Sequence, residues 1–474
     1  MLLSQLAPGG ADVEIAALAY DSRDVEPGTL FFCVPGEHSD GHDHAPNAVA
    51  HGAVALVVER PLELGVPELV VASAREAMAP IAVAFNGDPS ARLRVAGVTG
   101  TNGKTTSAFL LRALLAAGGE ACALLGTVKS LIGGEERPVA RTTPEAIDLQ
   151  ASFREMVELG DRACAMEVSS HALALHRVDG TRFAAALFTN LTQDHLDFHA
   201  TMEDYFAAKR RLFDSDPGVR VVNLDDPYGR RLAAEHPDAV TFALTRPADY
   251  TARDVRFAVA GATFRAATPR GELELRTLLP GSFNVSNVLG AVAAASSLGV
   301  DLERIAATLP TVAPAPGRFQ ALNEGQPFTV LVDYAHTPDS LENVLRAART
   351  LTERRVVSVF GCGGDRDRGK RPQMGRISAE LADVTIVTSD NPRSEEPAAI
   401  VAEILAGIDA SAAGEVESIV DRRAAIERAV AVAGDGDVVV IAGKGHEQGQ
   451  EFADARKVPF DDAQVARDAL RSRG

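Results

Sequence analysis

The run Gly100-Thr101-Asn102-Gly103-Lys104-Thr105-Thr106 lies between an apolar strand candidate, residues 94–98, and a helical pattern over residues 107–117. A strand, a glycine-bearing loop and a helix in that order call for an α/β architecture built on a mostly parallel sheet. They also make a phosphate cradle. Glycines let backbone N–H groups close around an anion, and the helix N-terminus adds partial positive charge. Lys104 is placed to reach terminal phosphates, and the Thr105 hydroxyl to ligate Mg²⁺. The general pattern GxxxxGK[ST] would put glycine where Val98 stands, so the loop is a variant of it. Nucleoside triphosphate binding is the first expectation.

With 474 residues the chain exceeds what one hydrophobic core serves, so several domains are expected. Short apolar strands over 30–34, 53–58 and 69–72 end in the turn Asn86-Gly87-Asp88-Pro89, which closes a first domain over 1–89. From 90 to 313 strands alternate with helices. Pro310, Pro314, Pro316 and Gly317 then interrupt all periodicity, and a second alternating series begins near Phe328, giving a third domain over 314–474. A formal charge of −18 excludes a broad polyanion-binding surface and makes nucleic acid an unexpected partner. Cys33, Cys122, Cys164 and Cys362 are widely spaced with no CxxC pair, which reads as reduced structural thiols and not as zinc ligands. Early acidic residues argue against a signal peptide and no apolar run is long enough for a bilayer, so a cytoplasmic protein with no membrane partner is expected.

The polar motifs share a position. Glu167-Val168-Ser169-Ser170-His171, Thr189 to His195, Asp333 to Thr337, Gly361 to Arg366, Asp390-Asn391-Pro392-Arg393 and Gly443-Lys444-Gly445-His446-Glu447 each follow an apolar strand run. In open α/β sheets, ligands gather at the carboxyl ends of strands. Glu167 is placed to join Thr105 as a hard oxygen ligand of Mg²⁺. His195 is a softer donor, and local chemistry equally suits an ordinary hydrogen-bonded histidine. The helix expected over 202–213 opens with Thr201 as N-cap and Asp204 three residues on, and Lys209 falls on its apolar stripe with Met202, Tyr205, Phe206, Leu212 and Phe213. A lysine there snorkels, pairs with a carboxylate, or loses its proton. A neutral lysine can take up CO₂ as a carbamate, which turns a cation into an oxygen ligand for Mg²⁺.

With GTNGKTT, MEVSSH, TNLTQDHLDFH, AAK, FNVSN, DYAHTPDSL, GCGGDRDRGKRP, SDNPR and GKGHE in this order, the chain resembles the Mur ligases from about Asp21 to Glu447. The resemblance implies a three-domain α/β protein: an N-terminal UDP-sugar-binding domain, a central ATP-binding domain and a C-terminal Rossmann-like domain that binds an amino acid. It implies a monomeric ligase of peptidoglycan synthesis that uses ATP and Mg²⁺ to join a diamino acid to UDP-N-acetylmuramoyl-L-alanyl-D-glutamate through an acyl phosphate. By that resemblance Gly100, Thr101, Asn102, Gly103, Lys104, Thr105 and Thr106 hold the ATP phosphates. Asn287, Asp333 and Arg318 contact adenine, ribose and phosphate. Thr105 and Glu167 match ligands of a first Mg²⁺, His195 matches a ligand of a second, Lys209 matches the family's carbamylated lysine as a further metal ligand, and Lys104, Glu167, His195 and Lys209 carry the chemistry. Ser22, in Asp21-Ser22-Arg23, and the loop Gly36 to Gly41 match the uridine-diphosphate region, while Thr142, Thr143, Ser169 and Arg177 match contacts to the muramoyl peptide. Arg141 and Leu175 depart from the family pattern, where asparagine and a glutamine-like residue are usual.

The same resemblance assigns Arg366, Asp390, Asn391, Pro392, Arg393, Gly443 and Glu447 to the amino-acid pocket. Meso-diaminopimelate carries a second carboxylate that lysine and ornithine lack, and the planar guanidinium of Arg393 suits it. An acid near Arg393, such as Glu396, would neutralise that cation and admit L-lysine or L-ornithine instead. A folylpolyglutamate-synthetase-like ligase would share the phosphate loop and the lysine but should lack the DNPR and GKGHE pair. A phosphate-loop motor ATPase would turn over nucleotide unaided.

Overall fold

The computed structural model describes residues 1–36, 39–409 and 414–473. The chain forms two compact units, residues 1–99, 119–186 and 208–218 in one and residues 100–118, 187–207 and 219–474 in the other.

In the first unit, the strands Ala17–Ala19, Thr29–Phe32, Ala53–Val58 and Glu68–Val70 form a parallel sheet in chain order. Side chains alternate between its faces. Leu30, Phe32, Ala55 and Val57 enter one core, with Met78 and Ile81 of the helix Ala74–Phe85, whereas Phe31, Leu56 and Val58 enter another. A strand buried on both faces reads as an unbroken apolar run, which is how Ala53–Val58 stands out in the sequence. The Ser73 hydroxyl caps its helix by accepting from the Glu76 N–H at 3.2 Å. The same unit holds the parallel strands Arg94–Thr99, Ala163–Glu167 and Cys122–Leu125, extended by the antiparallel pieces Ser130–Ile132 and Glu135–Arg137.

The second unit begins with the glycine loop and the helix Lys104–Ala117, which packs against the helix Ser282–Ser297. Strands Arg220–Asn223, Val240–Ala243 and Tyr250–Ala258 run parallel, and Gly261–Thr268 and Gly271–Thr277 continue as an antiparallel meander. A further sheet has the order Gln320–Leu322, Thr329–Asp333, Val438–Ala442, Val356–Phe360, Val384–Val387, Glu415–Ser418, parallel apart from the first strand. Helices cover both faces. Pro338–Arg349, Lys370–Leu381 and Pro397–Leu405 pack on one side and Arg422–Val432 and Asp462–Arg473 on the other. Strand Val438–Ala442 sits between two strands earlier in the chain, so the topology switches there, and a crevice is expected at its carboxyl end.

The phosphate-loop helix starts at Lys104, three residues before the apolar periodicity does. Thr105, Thr106 and Ser107 are buried polar residues, invisible to a hydrophobic pattern, and Gly103 at φ +86° supplies the break that starts the helix. The expected Thr201 cap is present: its hydroxyl accepts from the Asp204 N–H at 3.1 Å and donates to the Asp204 carboxylate at 2.8 Å. All four cysteines are buried. Among the described residues, no helix is long and apolar enough to cross a membrane.

One buried ion pair ties the last helix to the carboxyl edge of the C-terminal sheet. Arg422 and Asp462 are both fully enclosed, with paired bonds of 2.7 Å, and Arg422 also donates to the carbonyls of Ser389 and Ala442. Removing one partner strands a buried charge, at a cost of about 3–5 kcal/mol, whereas replacing both by apolar groups is tolerated far better. Chemical denaturation should therefore show Asp462→Ala to be severely destabilised and the Arg422→Met/Asp462→Leu pair to recover most of the loss.

Candidate active site

The phosphate loop is held open by backbone geometry that side chains would spoil. Gly100 adopts φ +149°, and a Cβ there would lie 1.9 Å from the Thr189 Oγ1; at Gly103 it would lie 2.3 Å from the Asn287 Oδ1. Asn287 thus abuts the loop from the helix Ser282–Ser297. The Asn102 N–H donates to the Asn190 Oδ1 at 2.8 Å, and its carbonyl accepts from the Thr189 hydroxyl at 2.6 Å. Thr101 is fixed by bonds to Asn190, Thr192 and the Tyr205 hydroxyl. The Lys104 Nζ donates to the carbonyls of Gly100 and Thr101 at 2.9 and 2.8 Å, so the ammonium curls over the loop.

A second cation stands beside it. The Arg318 Nη2 donates to the Thr105 Oγ1 at 3.2 Å, its guanidinium lies 4.2 Å from the Tyr334 ring centroid, and its Nη1 is buried with no hydrogen-bond partner among the described residues. A buried guanidinium donor left unsatisfied next to a phosphate loop is what an anion would complete. Asp333, at the end of its strand, accepts from the Phe319 and Ala335 N–H groups at 2.6 and 2.8 Å, and burial raises its carboxyl despite nearby Arg318. His195, at φ +55°, has its Nε2 3.4 Å from the buried Asp194 carboxylate. Burial acts to raise Asp194, but His195, His336 and Lys370 outweigh it and hold that carboxyl at about 2. The role of Asp194 had no signal of its own in the sequence.

In the first unit Glu167 ends its strand fully buried, its carboxylate accepting from the Thr127 N–H at 2.7 Å and the Thr127 hydroxyl at 3.2 Å. The packing leaves no room at residue 126, where a Cβ would lie 2.6 Å from the Glu167 Oε1. The Thr142 hydroxyl bonds to the Thr127 hydroxyl at 3.0 Å, and Thr143 joins the Glu167 carbonyl to Ser169, so three of the expected substrate contacts adjoin the expected metal ligand. Arg177 completes this group. It donates to the Thr143 carbonyl at 3.3 Å and pairs with Glu145 at 2.9 Å; burial pulls its guanidinium below the ordinary range, with Glu145 opposing. Arg75 and Arg141 also face Glu145, at 3.5 and 3.8 Å, so the unusual Arg141 adds a third cation around one carboxylate. Ser22 opens a short helical turn capped by Asp21. In the loop Gly36 to Gly41, residues 37 and 38 lie outside the described residues. Lys209 is 1% exposed within the helix Met202–Asp214, which confirms its inward position.

The expected amino-acid pocket assembles around a residue that carried no assigned role. Lys444 is fully buried, and its Nζ donates to the Asn391 Oδ1 at 2.8 Å and the Glu447 Oε2 at 2.9 Å, with Asp390 at 3.6 Å. The Asn391 Nδ2 donates to Glu447 at 2.9 Å. Burial acts to raise the Glu447 carboxyl, but Lys444 and Asn391 hold it below its ordinary range. At Gly443, φ +119°, a Cβ would lie 2.6 Å from the Asp390 Oδ2. Pro392 is buried, and its carbonyl packs against Gly364. Arg393, at φ +51°, donates from Nη1 to the Gly364 carbonyl at 2.7 Å and from Nε to Glu451 at 3.1 Å. The acid that neutralises Arg393 is therefore Glu451, not Glu396, which instead occupies the N-cap position of the helix Pro397–Leu405. Arg366 is half-exposed, 4.0 Å from Asp197.

Arg371 braces this pocket from beneath. It is fully enclosed, makes a two-pronged contact with Glu395 at 2.7 and 2.9 Å, and donates to Glu403 and the Gly363 carbonyl. It thus clamps the loop after one strand to the loop after the next.

These features define a class: a phosphate-loop α/β protein with a cation beside the loop and a separate pocket of paired charges at the carboxyl edge of a second parallel sheet. The chain belongs to the Mur ligase family. Three of its models match, "Mur ligase family, catalytic domain" over 14–87, "Mur ligase middle domain" over 98–295 and "Mur ligase, glutamate ligase domain" over 317–445. The chain is 48% identical to the UDP-N-acetylmuramoyl-L-alanyl-D-glutamate–2,6-diaminopimelate ligase of Geobacillus kaustophilus (strain HTA426), covering 100% of this chain and 99% of that one. Against the protein of the same name from Gloeobacter violaceus (strain ATCC 29082 / PCC 7421) it is 48% identical, over 98% and 96%. A solved structure of a ligase with that name superposes with a TM-score of 0.70 at 35% identity, covering 100% of this chain and 99% of that chain.

The Arg371 clamp predicts an acid limb of stability. Glu395 is held at about 2, first by its bonds to Arg371, against an ordinary value of 4.5. Its folded-state value is depressed, so the stabilisation is complete above about pH 4.5 and is lost as pH falls from there toward 2. Denaturation midpoints measured across that window should fall less steeply for Glu395→Gln than for the unaltered chain.

Proposed function

We propose that the chain is an ATP-dependent ligase that joins meso-diaminopimelate to the D-glutamate γ-carboxyl of UDP-N-acetylmuramoyl-L-alanyl-D-glutamate in peptidoglycan precursor synthesis. Near-full-length similarity to proteins named for that reaction supports the class. The observation that carries the choice of amino acid is Arg393, a guanidinium set beside the Asp390–Asn391–Lys444–Glu447 cluster. A cation next to acids matches the far end of diaminopimelate, which bears a carboxylate and an ammonium together.

In this reading segment 1–89 holds the uridine diphosphate through Ser22. Segment 90–313 holds ATP and the muramoyl peptide, the latter through Thr142, Thr143, Ser169 and Arg177. Segment 314–474 holds the amino acid, with Arg366 at the rim. A carboxylate is inert to amines because oxide is a poor leaving group. Its γ-oxygen therefore attacks the γ-phosphorus of ATP, ADP departs, and an acyl phosphate results. The amine then bonds to the acyl carbon, and phosphate leaves from the tetrahedral intermediate. Gly100 to Thr106 cradle the phosphates, and Lys104 and Arg318 stabilise charge on the moving phosphoryl group. In this reading Asn287 contacts the adenine and Asp333 the ribose.

The metal ligands fit by chemistry. The Thr105 hydroxyl and the Glu167 carboxylate are hard oxygen donors of the kind Mg²⁺ prefers, and a carbamate on the enclosed Lys209 would add another, with His195 as a softer ligand. Mg²⁺ would neutralise charge on the phosphates. The chain acts in this reading as a cytoplasmic monomer.

One observation favours a second reading. The Arg393–Glu451 pair leaves the guanidinium neutralised without substrate, which would tolerate L-lysine or L-ornithine. Product mass, after supplying each diamino acid separately, decides between them.

Phosphate release is expected only when the UDP-muramoyl dipeptide and a diamino acid are both present; vigorous ATP hydrolysis with neither would point to a motor ATPase. Lys209→Ala should abolish turnover while calorimetry shows the UDP-substrate still bound, and full activity in that variant would exclude an essential carbamate.

A further inference from the structure

Arg393 is already served by a carboxylate of its own chain. Glu451 belongs to the short hairpin Gly449–Glu451 with Lys457–Pro459, and it grips the pocket three times. Its N–H donates to the Asn391 Oδ1 at 3.0 Å, its carbonyl accepts from the Arg393 N–H at 3.0 Å, and its carboxylate accepts from the Arg393 Nε at 3.1 Å. The first two bonds are backbone bonds and do not depend on the side chain. Only the third places a negative charge on the guanidinium.

That third bond occupies a position a ligand carboxylate would want. Arg393 has one prong committed to the Gly364 carbonyl at 2.7 Å, which leaves Nε and Nη2 as the edge for two-pronged carboxylate recognition, and Glu451 sits on Nε. Lys444 is met by Asp390 and Glu447, and Arg393 by Glu451. Arg393 is thus paired without a ligand. A substrate carboxylate that approaches Arg393 either shares the guanidinium with Glu451 at the expense of like-charge repulsion, or Glu451 leaves. The Glu451 side chain is one-third exposed, so it can swing into water at modest cost while the backbone bonds keep the hairpin in place.

We infer that Glu451 is a specificity-determining residue of the amino-acid pocket, an internal carboxylate that competes with the distal carboxylate of the substrate for Arg393. The inference rests on the reading above, in which Arg393 meets that carboxylate. Its consequence is a narrowed preference. Binding a diaminopimelate exchanges one carboxylate on Arg393 for another, so the gain over lysine, which leaves the Arg393–Glu451 pair intact, is smaller than for a bare guanidinium.

Steady-state kinetics on the full chain, with saturating ATP and UDP-muramoyl dipeptide, tests this in Glu451→Gln. The glutamine keeps the backbone bonds and the size but removes the charge. The KM for meso-diaminopimelate is expected to fall by about three- to tenfold, with kcat and the KM for both nucleotides within about twofold, while the KM for L-lysine stays within about twofold, because lysine leaves Arg393 in the same state in the free and the bound protein. Glu451→Ala serves as a second variant and should move the KM for diaminopimelate the same way. An unchanged or higher KM for diaminopimelate in both variants overturns the inference. If the unaltered chain makes no product with diaminopimelate, it is the proposed amino acid that fails; if it makes product and the KM does not move, only the role of Glu451 fails.

Discussion

The ammonium of Lys444 has no access to water, and its position at the end of the central strand of the C-terminal sheet leaves it nowhere to snorkel. A buried ammonium must be met by acceptors, and these arrive from a different strand end: Asn391 and Asp390 from the loop after Val384–Val387, with Glu447 from its own turn. Satisfying this one cation fixes the orientation of the Asn391 amide, because its oxygen faces Lys444 and the Glu451 N–H, so its nitrogen must face Glu447. The pocket is thus a consequence of charge burial at a topological switch point. Arg371 and Arg422 apply the same rule one layer down, where each buried guanidinium bridges separate loops.

The phosphate loop is shaped from outside. Gly100 and Gly103 adopt positive φ with no room for a Cβ, the Thr101 and Asn102 N–H groups bond to Asn190, and neighbouring side chains from Thr189 to Thr192 fix the outer shape. Arg318 then arrives from far along the chain with one donor unsatisfied. Preorganisation of this kind puts the reorganisation cost into folding, so little of it remains at the moment of phosphoryl transfer.

What the sequence discloses follows from how local each signal is. The strand, loop and helix around Lys104, the Thr201 cap and the inward face of Lys209 are decided by residues within a turn or two of one another, and periodicity and capping rules reach that far. Glu451 lies 58 positions from Arg393, and it displaced Glu396, three residues away, as the partner acid. Nothing in a hairpin residue announces such a contact. Glu145 and its three arginines, and Asp194 between two histidines, are similarly products of tertiary packing. Lys444 is an intermediate case, because a lysine between two glycines at a strand end was visible, but its enclosure was not.

The overall charge of −18 contrasts with a chain whose expected ligands are anions, and the resolution is one of range. At physiological ionic strength fields decay over about 8 Å, so a ligand inside a pocket feels the groups that line it and little of the distant surface. Around Glu145 three guanidinium groups face one carboxylate. Beside the phosphate loop Lys104 and Arg318 share their surroundings with the carboxylates of Asp333 and Asp339, and Lys444 is met by Asp390 and Glu447. What a ligand meets at each place is therefore set by how completely the local cations are already paired, and not by the total charge of the chain.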